Sequence, residues 1–372
     1  MPPDRFLDPR MSAWLDLLRA ASALAVLVGH VGQLGFFGQG WPQTDTLQHA
    51  AVIVFFVLSG LLIRQSACRE SMTLAAFAKA RAIRILPVSI VALLFSTTVA
   101  FALQPLAKHD PYLPPFDTAT VKELLVASLF LNERSAGFEP ILNPPYWSLC
   151  YEVWFYALFA AWAFLRGYRR IIAVTLIAWV AGLPVLLLLP TWLVGAWVGT
   201  NWSWLRRVPP LAALAAAVAG FVLISAPQTA EALATYTSER GIHLGNLHFS
   251  EHFITDLPAG LFVALAIVAL KSSRLTLNAA TASIARWGAG LSFTLYLTHW
   301  PILIAIRTVA DRDALPYIAS LALVLPLSFA ALVAPLIERR LPIRLRSPSL
   351  DAARAAMASR WPTVGANADA RS

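Results

Sequence analysis

Ten stretches of the chain are apolar for long enough to cross a lipid bilayer. They cover roughly residues 13–35, 48–64, 85–105, 146–165, 170–189, 191–205, 209–226, 254–270, 287–306 and 315–337. A spanning helix needs about 20 mostly apolar residues, with few or no charges. Leu211 to Ser225 and Leu321 to Ile337 contain no ionisable residue at all. Inside a membrane every backbone polar group must be satisfied within the segment, so such runs fold as helices. The expected fold class is therefore all-α: a polytopic integral membrane bundle of about ten transmembrane helices. An eleventh apolar stretch, Val121 to Leu131, is too short to span and suits an interfacial or re-entrant segment. Charged residues are only 13% of the 372 and apolar ones 58%, whereas a soluble domain is about 25% charged. That balance excludes an ordinary soluble enzyme and a disordered protein. It also argues against a nucleic-acid binder, despite a net charge of +9. Cys68 and Cys150 are too few for a disulfide framework or a cysteine-based zinc site.

Loop charge sets the expected orientation. With an N-terminus in the cytoplasm and ten crossings, 22 Lys and Arg fall on the inner side and six on the outer side. This is the asymmetry of the positive-inside rule, and counting Val121 to Leu131 as a span would destroy it. Both termini are expected in the cytoplasm. Residues 1–12 form the N-terminal segment, 13–342 the membrane domain and 343–372 a polar, Ala- and Arg-rich tail expected to be disordered.

Ionisable residues within the spans are rare: Asp16, Arg19, His30, Glu152 and His299. Each is costly to place in a bilayer and is a functional candidate for that reason. At about 1.5 Å per residue, His30, Glu152 and His299 fall at a similar depth, some 8–11 Å below the outer surface. They are thus expected to form one acid–base cluster. Each also has a plainer reading, a hydrogen bond or ion pair with a facing helix. Asp16 and Arg19, spaced i, i+3 near the inner end, equally suit helix-end pairing or snorkelling.

Arg81 and Arg84 share one helical face at the inner end of the third span. Such a guanidinium pair suits a phosphorylated ligand. The same cluster also arises from the positive-inside bias or from contact with anionic lipid. Asn143 to Tyr156 is rich in Trp and Tyr, which anchor at membrane interfaces and also line sugar sites. The outer-loop histidines His243, His248 and His252 read as a solvated loop, and no metal site is expected.

Five motifs in order resemble the acyltransferase-3 family of integral membrane acyltransferases. Leu15-Asp-Leu-Leu-Arg-Ala through Gly29-His30 is similar to its opening helix, with Arg19 and His30 separated by ten residues. Phe55-Phe-Val-Leu-Ser-Gly-Leu-Leu-Ile63 is similar to its second-helix signature. Arg81-Ala-Ile-Arg84 matches its Arg-x-x-Arg element. Tyr146-Trp-Ser-Leu-Cys-Tyr-Glu152 resembles its Trp-Ser-Leu-x-x-Glu block. Tyr296-Leu-Thr-His-Trp-Pro301 resembles its late Tyr-Leu-x-His-x-Pro block.

The resemblance implies transfer of an acyl group, often acetyl, from cytoplasmic acyl-CoA to a hydroxyl of a cell-surface carbohydrate or lipid-linked glycan. It implies an essential His30 and a donor site at Arg81 and Arg84. The expected mechanism has the donor's pantetheine arm pass Ser59. His30 then acts as general base, and Glu152 orients it. Arg19 or His299 polarises the thioester, with Trp147 and Ser148 beside the substrate. No permanently bound cofactor is expected. The expected partners are membrane lipid, acyl-CoA, a carbohydrate acceptor and proteins of glycan synthesis, with no nucleic acid. The expected location is the plasma (inner) membrane. Some family members carry a fused SGNH-type esterase domain. Only a short tail follows the tenth span here, so transfer is expected to finish in the membrane domain or with a separate protein. Buried His and Glu in a ten-span bundle also fit a proton-coupled transporter or exporter, the rival reading.

Overall fold

The computed structural model of the chain describes residues 6–38, 41, 45–68, 72–109, 112–134, 140–201, 209–240, 247–310 and 312–340. Among these there is no strand. Thirteen α-helices occur: α1 (Pro9–Gln33), α2 (Thr46–Ala67), α3 (Leu74–Leu103), α4 (Thr118–Ser128), α5 (Trp147–Phe164), α6 (Gly167–Ala181), α7 (Leu183–Asn201), α8 (Pro210–Ile224), α9 (Pro227–Ser238), α10 (Phe253–Ser272), α11 (Ala279–Ala289), α12 (Ser292–Val309) and α13 (Ala319–Ala334). A π-helical turn, Pro335–Arg340, follows α13. The expected tail, 343–372, lies outside the described residues.

Six of these segments are long and apolar enough to cross a membrane: Pro9–Gln33, Thr46–Ala67, Leu74–Leu106, Leu183–Thr200, Phe253–Ser272 and Asp313–Glu338. The bent pairs α8 with α9 (52°) and α11 with α12 (58°) raise the number to eight if each is one span. The chain is a multi-pass membrane protein, helical throughout the regular structure of its described residues. Two of the ten expected spans fall short of this measure. The 15-residue α6 is too short, and α5 is long enough but carries Glu152 with several Trp and Tyr.

Some boundaries also move. The break expected near Pro190 lies instead at Gly182, whose φ of +88° ends α6. Pro190 is accommodated inside α7. The outer loop expected over 227–253 contains α9, and the ninth expected span begins only after the kink that follows α11.

Local chemistry explains the helix ends. Asp8 caps α1 by accepting from the Met11 amide at 2.6 Å, and its other carboxylate oxygen accepts from Lys271 Nζ at 2.8 Å. Arg10 donates to the carbonyls of Lys271 and Ser273, so the start of α1 is fastened to the end of α10. At the other end of α1, Arg307 donates to the Leu34 carbonyl at 2.8 Å, a cation at a helix C-terminus where the dipole favours it. Asp117 forms a capping box at the start of α4.

The core is built around α2. Gly60 on α2 and Gly195 on α7 let the two backbones touch, because a Cβ at either would overlap the facing main chain. Small residues at a membrane helix interface permit this approach. It brings the indole of Trp192, fully buried, against Ser59. Pro301 inside α12 has no N–H for the carbonyl of Leu297. The Asn143 side-chain amide donates to that carbonyl at 3.1 Å instead, which fixes the turn before α5 against α12.

Candidate active site

Arg19 of α1, Ser59 of α2, Arg81 and Arg84 of α3, and Ser148 and Glu152 of α5 line one cavity of about 110 Å³. Six of the nine residues singled out from the sequence therefore meet in one place. Tyr156 of α5 with Ser292 and Tyr296 of the α12 segment completes the polar lining. The remaining walls are apolar, contributed by residues such as Phe55 and Phe56.

In the cavity wall Ser59 Oγ donates to Glu152 Oε1 at 2.6 Å. The Tyr156 hydroxyl also donates to Glu152 Oε1, and Trp192 Nε1 donates to Ser59 Oγ at 3.2 Å. Two hydroxyls thus satisfy a carboxylate that the bilayer would otherwise penalise. Arg81 lies between the rings of Phe77 and Tyr156, 5.8 and 5.9 Å from their centroids. Its Nε is buried without a hydrogen-bond partner among the described residues. A buried guanidinium N–H without an acceptor is costly, and an anionic ligand in the cavity would satisfy it. Glu338, in the π-helical turn, accepts from the Thr294 amide and hydroxyl at 3.1 and 2.6 Å. It also lies within electrostatic reach of Arg84 and Arg19.

His30 and His299 form a separate pair outside the cavity lining; His30 lies eleven residues beyond Arg19 on α1, about 16 Å along the helix, and the His299 ring is 6.2 Å from that of the cavity-lining Tyr296. His30 Nδ1 lies 2.7 Å from His299 Nε2, and the rings stack with centroids 4.9 Å apart. His299 Nδ1 lies 3.0 Å from the Leu295 carbonyl. A carbonyl only accepts, so His299 Nδ1 carries the proton and its Nε2 is an acceptor. His30 Nδ1–H must then be the donor, and the lone pair of His30 Nε2 is left open. The edge of Trp300 supports the His30 ring, with centroids 4.9 Å apart and planes at 84°. His299 is 1% exposed, while His30 keeps partial exposure.

Glu152 is not part of this pair, which corrects the expected three-residue cluster. Ser148 Oγ is hydrogen-bonded to the Tyr296 hydroxyl at 2.7 Å, and this bond sets the register between α5 and α12. From it, Glu152 lies four residues along α5 in one direction. His299 lies three residues along α12 in the other. At about 1.5 Å per residue the two are separated by roughly 10 Å in depth. The expected depth was in error because α5 does not start at the outer surface: Ser148, in its first turn, is level with Tyr296, well before the end of α12 at Val309, so Glu152 lies deeper than its place in α5 suggests. The hydrogen-bond partner of His30 is His299, not Glu152.

Trp147 does not line the cavity. Its ring lies between His49 (centroids 5.9 Å apart) and Phe249 (4.8 Å), each at 11° to it. Both faces are therefore covered. The expected solvated loop also differs. His248 is 14% exposed and lies 3.9 Å from the fully buried carboxylate of Glu133. His252 packs edge-on to His49 at 5.0 Å, and burial holds its imidazole below the usual range. His49 in turn pairs with Asp256 at 2.9 Å. His243 lies outside the described residues. Among the described residues no group of three or more potential ligands is placed to hold a metal ion.

Tyr156, Tyr296, Trp192 and Glu338 were not singled out from the sequence. The signal was present for two of them: Tyr156 is one turn beyond Glu152, and Tyr296 opens the block that ends in His299 and Pro301. Trp192 and Glu338 carry no such local signal.

The acyltransferase-3 family model, described as an acyltransferase domain, matches residues 12–337. No curated protein and no solved structure matches the chain. The family match runs from the first turn of α1 to the π-helical turn after α13 and includes every residue of the cavity and of the histidine pair. The chain belongs to the acyltransferase-3 family of membrane acyltransferases.

Proposed function

We propose that the protein moves an acyl group, acetyl in the simplest case, from cytoplasmic acyl-CoA to a hydroxyl of a cell-surface carbohydrate or lipid-linked glycan. The observation that carries this reading is the single cavity holding Arg19, Arg81 and Arg84, with the His30–His299 pair just beyond its far end. Guanidinium groups suit the phosphates of a coenzyme, and an unprotonated imidazole nitrogen suits removal of a hydroxyl proton near neutral pH. In this reading Arg81 and Arg84 hold the donor's phosphates at the cytoplasmic end, in the plasma (inner) membrane. The pantetheine arm passes Ser59 toward the histidine pair.

His30 Nε2 takes the proton of the acceptor hydroxyl as its oxygen attacks the thioester carbonyl. Collapse of the tetrahedral intermediate breaks the C–S bond, and the proton passes to the departing CoA thiolate. The His30 Nδ1–H bond to His299 is kept throughout, because His30 donates at Nδ1 whether or not Nε2 is protonated. Glu152 holds the Ser59 and Tyr156 hydroxyls at the arginine end of the path. Membership of an acyltransferase family favours this reading over a proton-coupled transporter. Replacing both Arg81 and Arg84 by Ala is expected to raise the KM for acyl-CoA with a smaller effect on kcat; unchanged kinetics would remove them from the donor site. Mass spectrometry of surface glycans from cells with and without the protein should show a mass difference of one acyl group, which identifies donor and acceptor together.

A further inference from the structure

Acyl transfer passes through a tetrahedral intermediate whose oxygen bears negative charge, and a donor fixed at that oxygen is usually worth a large part of the rate. His30 and His299 do not supply one. His299 spends its single N–H on the Leu295 carbonyl and His30 spends its N–H on His299. Ser59 and Tyr156 both donate to Glu152. The arginines sit toward the opposite end of the cavity.

Tyr296 is different. It lines the cavity, and it lies on α12 one turn before His299, with ring centroids 6.2 Å apart. Its hydroxyl is 2.7 Å from Ser148 Oγ. The other acceptor near Ser148, the Pro145 carbonyl, is 3.4 Å away, beyond the usual range for a hydroxyl donor. The Ser148 proton therefore goes to Tyr296 Oη. A phenol oxygen that accepts keeps its own O–H to give. Phe55 packs edge-on against the Tyr296 ring, with centroids 5.9 Å apart, and the side chain is 7% exposed. The hydroxyl is thus held in place between the donor cavity and the histidine pair.

We infer that Tyr296, oriented by Ser148, donates the hydrogen bond that stabilises the oxyanion formed when the acceptor hydroxyl attacks the thioester. The inference rests on the acyl-transfer reading above. The Tyr296 O–H meets the carbonyl oxygen while His30 Nε2, one turn further along, takes the acceptor's proton. No bond to Tyr296 forms or breaks. Its proton is shared more strongly with the oxyanion than with the ground-state carbonyl, so the effect falls on the chemical step.

The test is Tyr296→Phe, which keeps the ring and its packing and removes only the hydroxyl, assayed with acetyl-CoA in the membrane-embedded full chain. Loss of one oxyanion donor lowers kcat on the order of 10²–10³-fold. The KM for acetyl-CoA and the affinity for CoA itself should stay near those of the wild type. Ser148→Ala, which frees Tyr296 to turn away, should lower kcat by a smaller factor in the same sense. A Tyr296→Phe protein with wild-type kcat, or one whose loss lies wholly in KM, would overturn the assignment. Weakened CoA binding by this variant would equally assign Tyr296 to ground-state binding and overturn it. The failure of the wider reading has a separate signature: wild-type protein that transfers from no acyl-CoA.

Discussion

At the scale of single residues, the chemistry depends on which nitrogen of each imidazole carries the proton. The Leu295 carbonyl fixes His299, His299 fixes His30, and the open Nε2 of His30 follows. His299→Ala removes the acceptor for His30 Nδ1–H and lets the ring rotate. Transfer should fall, by less than the roughly 10²–10⁴-fold expected for loss of a general base, and the KM for acyl-CoA should change little. His299→Gln, which can still offer an acceptor, should retain more activity than His299→Ala; equal activities would argue against an orienting role. The candidates were legible in the sequence because ionisable residues in apolar spans are conspicuous. Their pairing was not. Depth arithmetic placed His30, Glu152 and His299 at one level, but it takes each helix end as the membrane surface, and α5 begins deep in the bundle, level with Tyr296, which misassigned the partner of His30.

At the scale of helices, two contacts hold the site together. Pro301 leaves the Leu297 carbonyl without its helical donor, and Asn143 supplies one from the turn before α5. Asn143→Ala leaves that buried carbonyl unsatisfied, at a cost of about 1–3 kcal/mol. A lowered thermal unfolding midpoint in detergent would reveal it, whereas an unchanged midpoint would show that the bond contributes nothing. Between α2 and α7 the close approach at Gly60 and Gly195 positions Trp192 on Ser59. Gly195→Val adds side-chain atoms where the Val57 backbone already sits. It should reduce the yield of folded protein and, in what does fold, weaken donor binding. Apolar runs marked out the helices well, since the bilayer leaves them few alternatives. Breaks were less legible. Pro190 reads as a stop, yet a membrane helix can accommodate proline. Gly182 is the true break because it adopts a φ that other residues rarely take.

For the molecule as a whole, the proposed function makes the arginine-rich end of the bundle and the histidine pair the two ends of the donor's path. In the proposed orientation, which follows the loop charges, the arginines face the cytoplasm. Cys68, exposed just after α2, belongs to that end, while Cys150 is buried. A membrane-impermeant thiol reagent should therefore leave intact cells unlabelled and modify Cys68 once the cytoplasmic face is opened. Labelling of Cys68 in intact cells would invert the orientation and with it the side from which the donor enters. If His30 performs the proton transfer of acyl transfer, a single assay reads it. Wild-type and His30→Ala proteins, in membranes at matched amounts, are supplied with acetyl-CoA and the carbohydrate acceptor found by glycan mass spectrometry, and acetylated product is counted over time. The wild type should transfer, while His30→Ala should fall to background and still bind CoA as the wild type does. Full transfer by the His30→Ala protein would contradict that role.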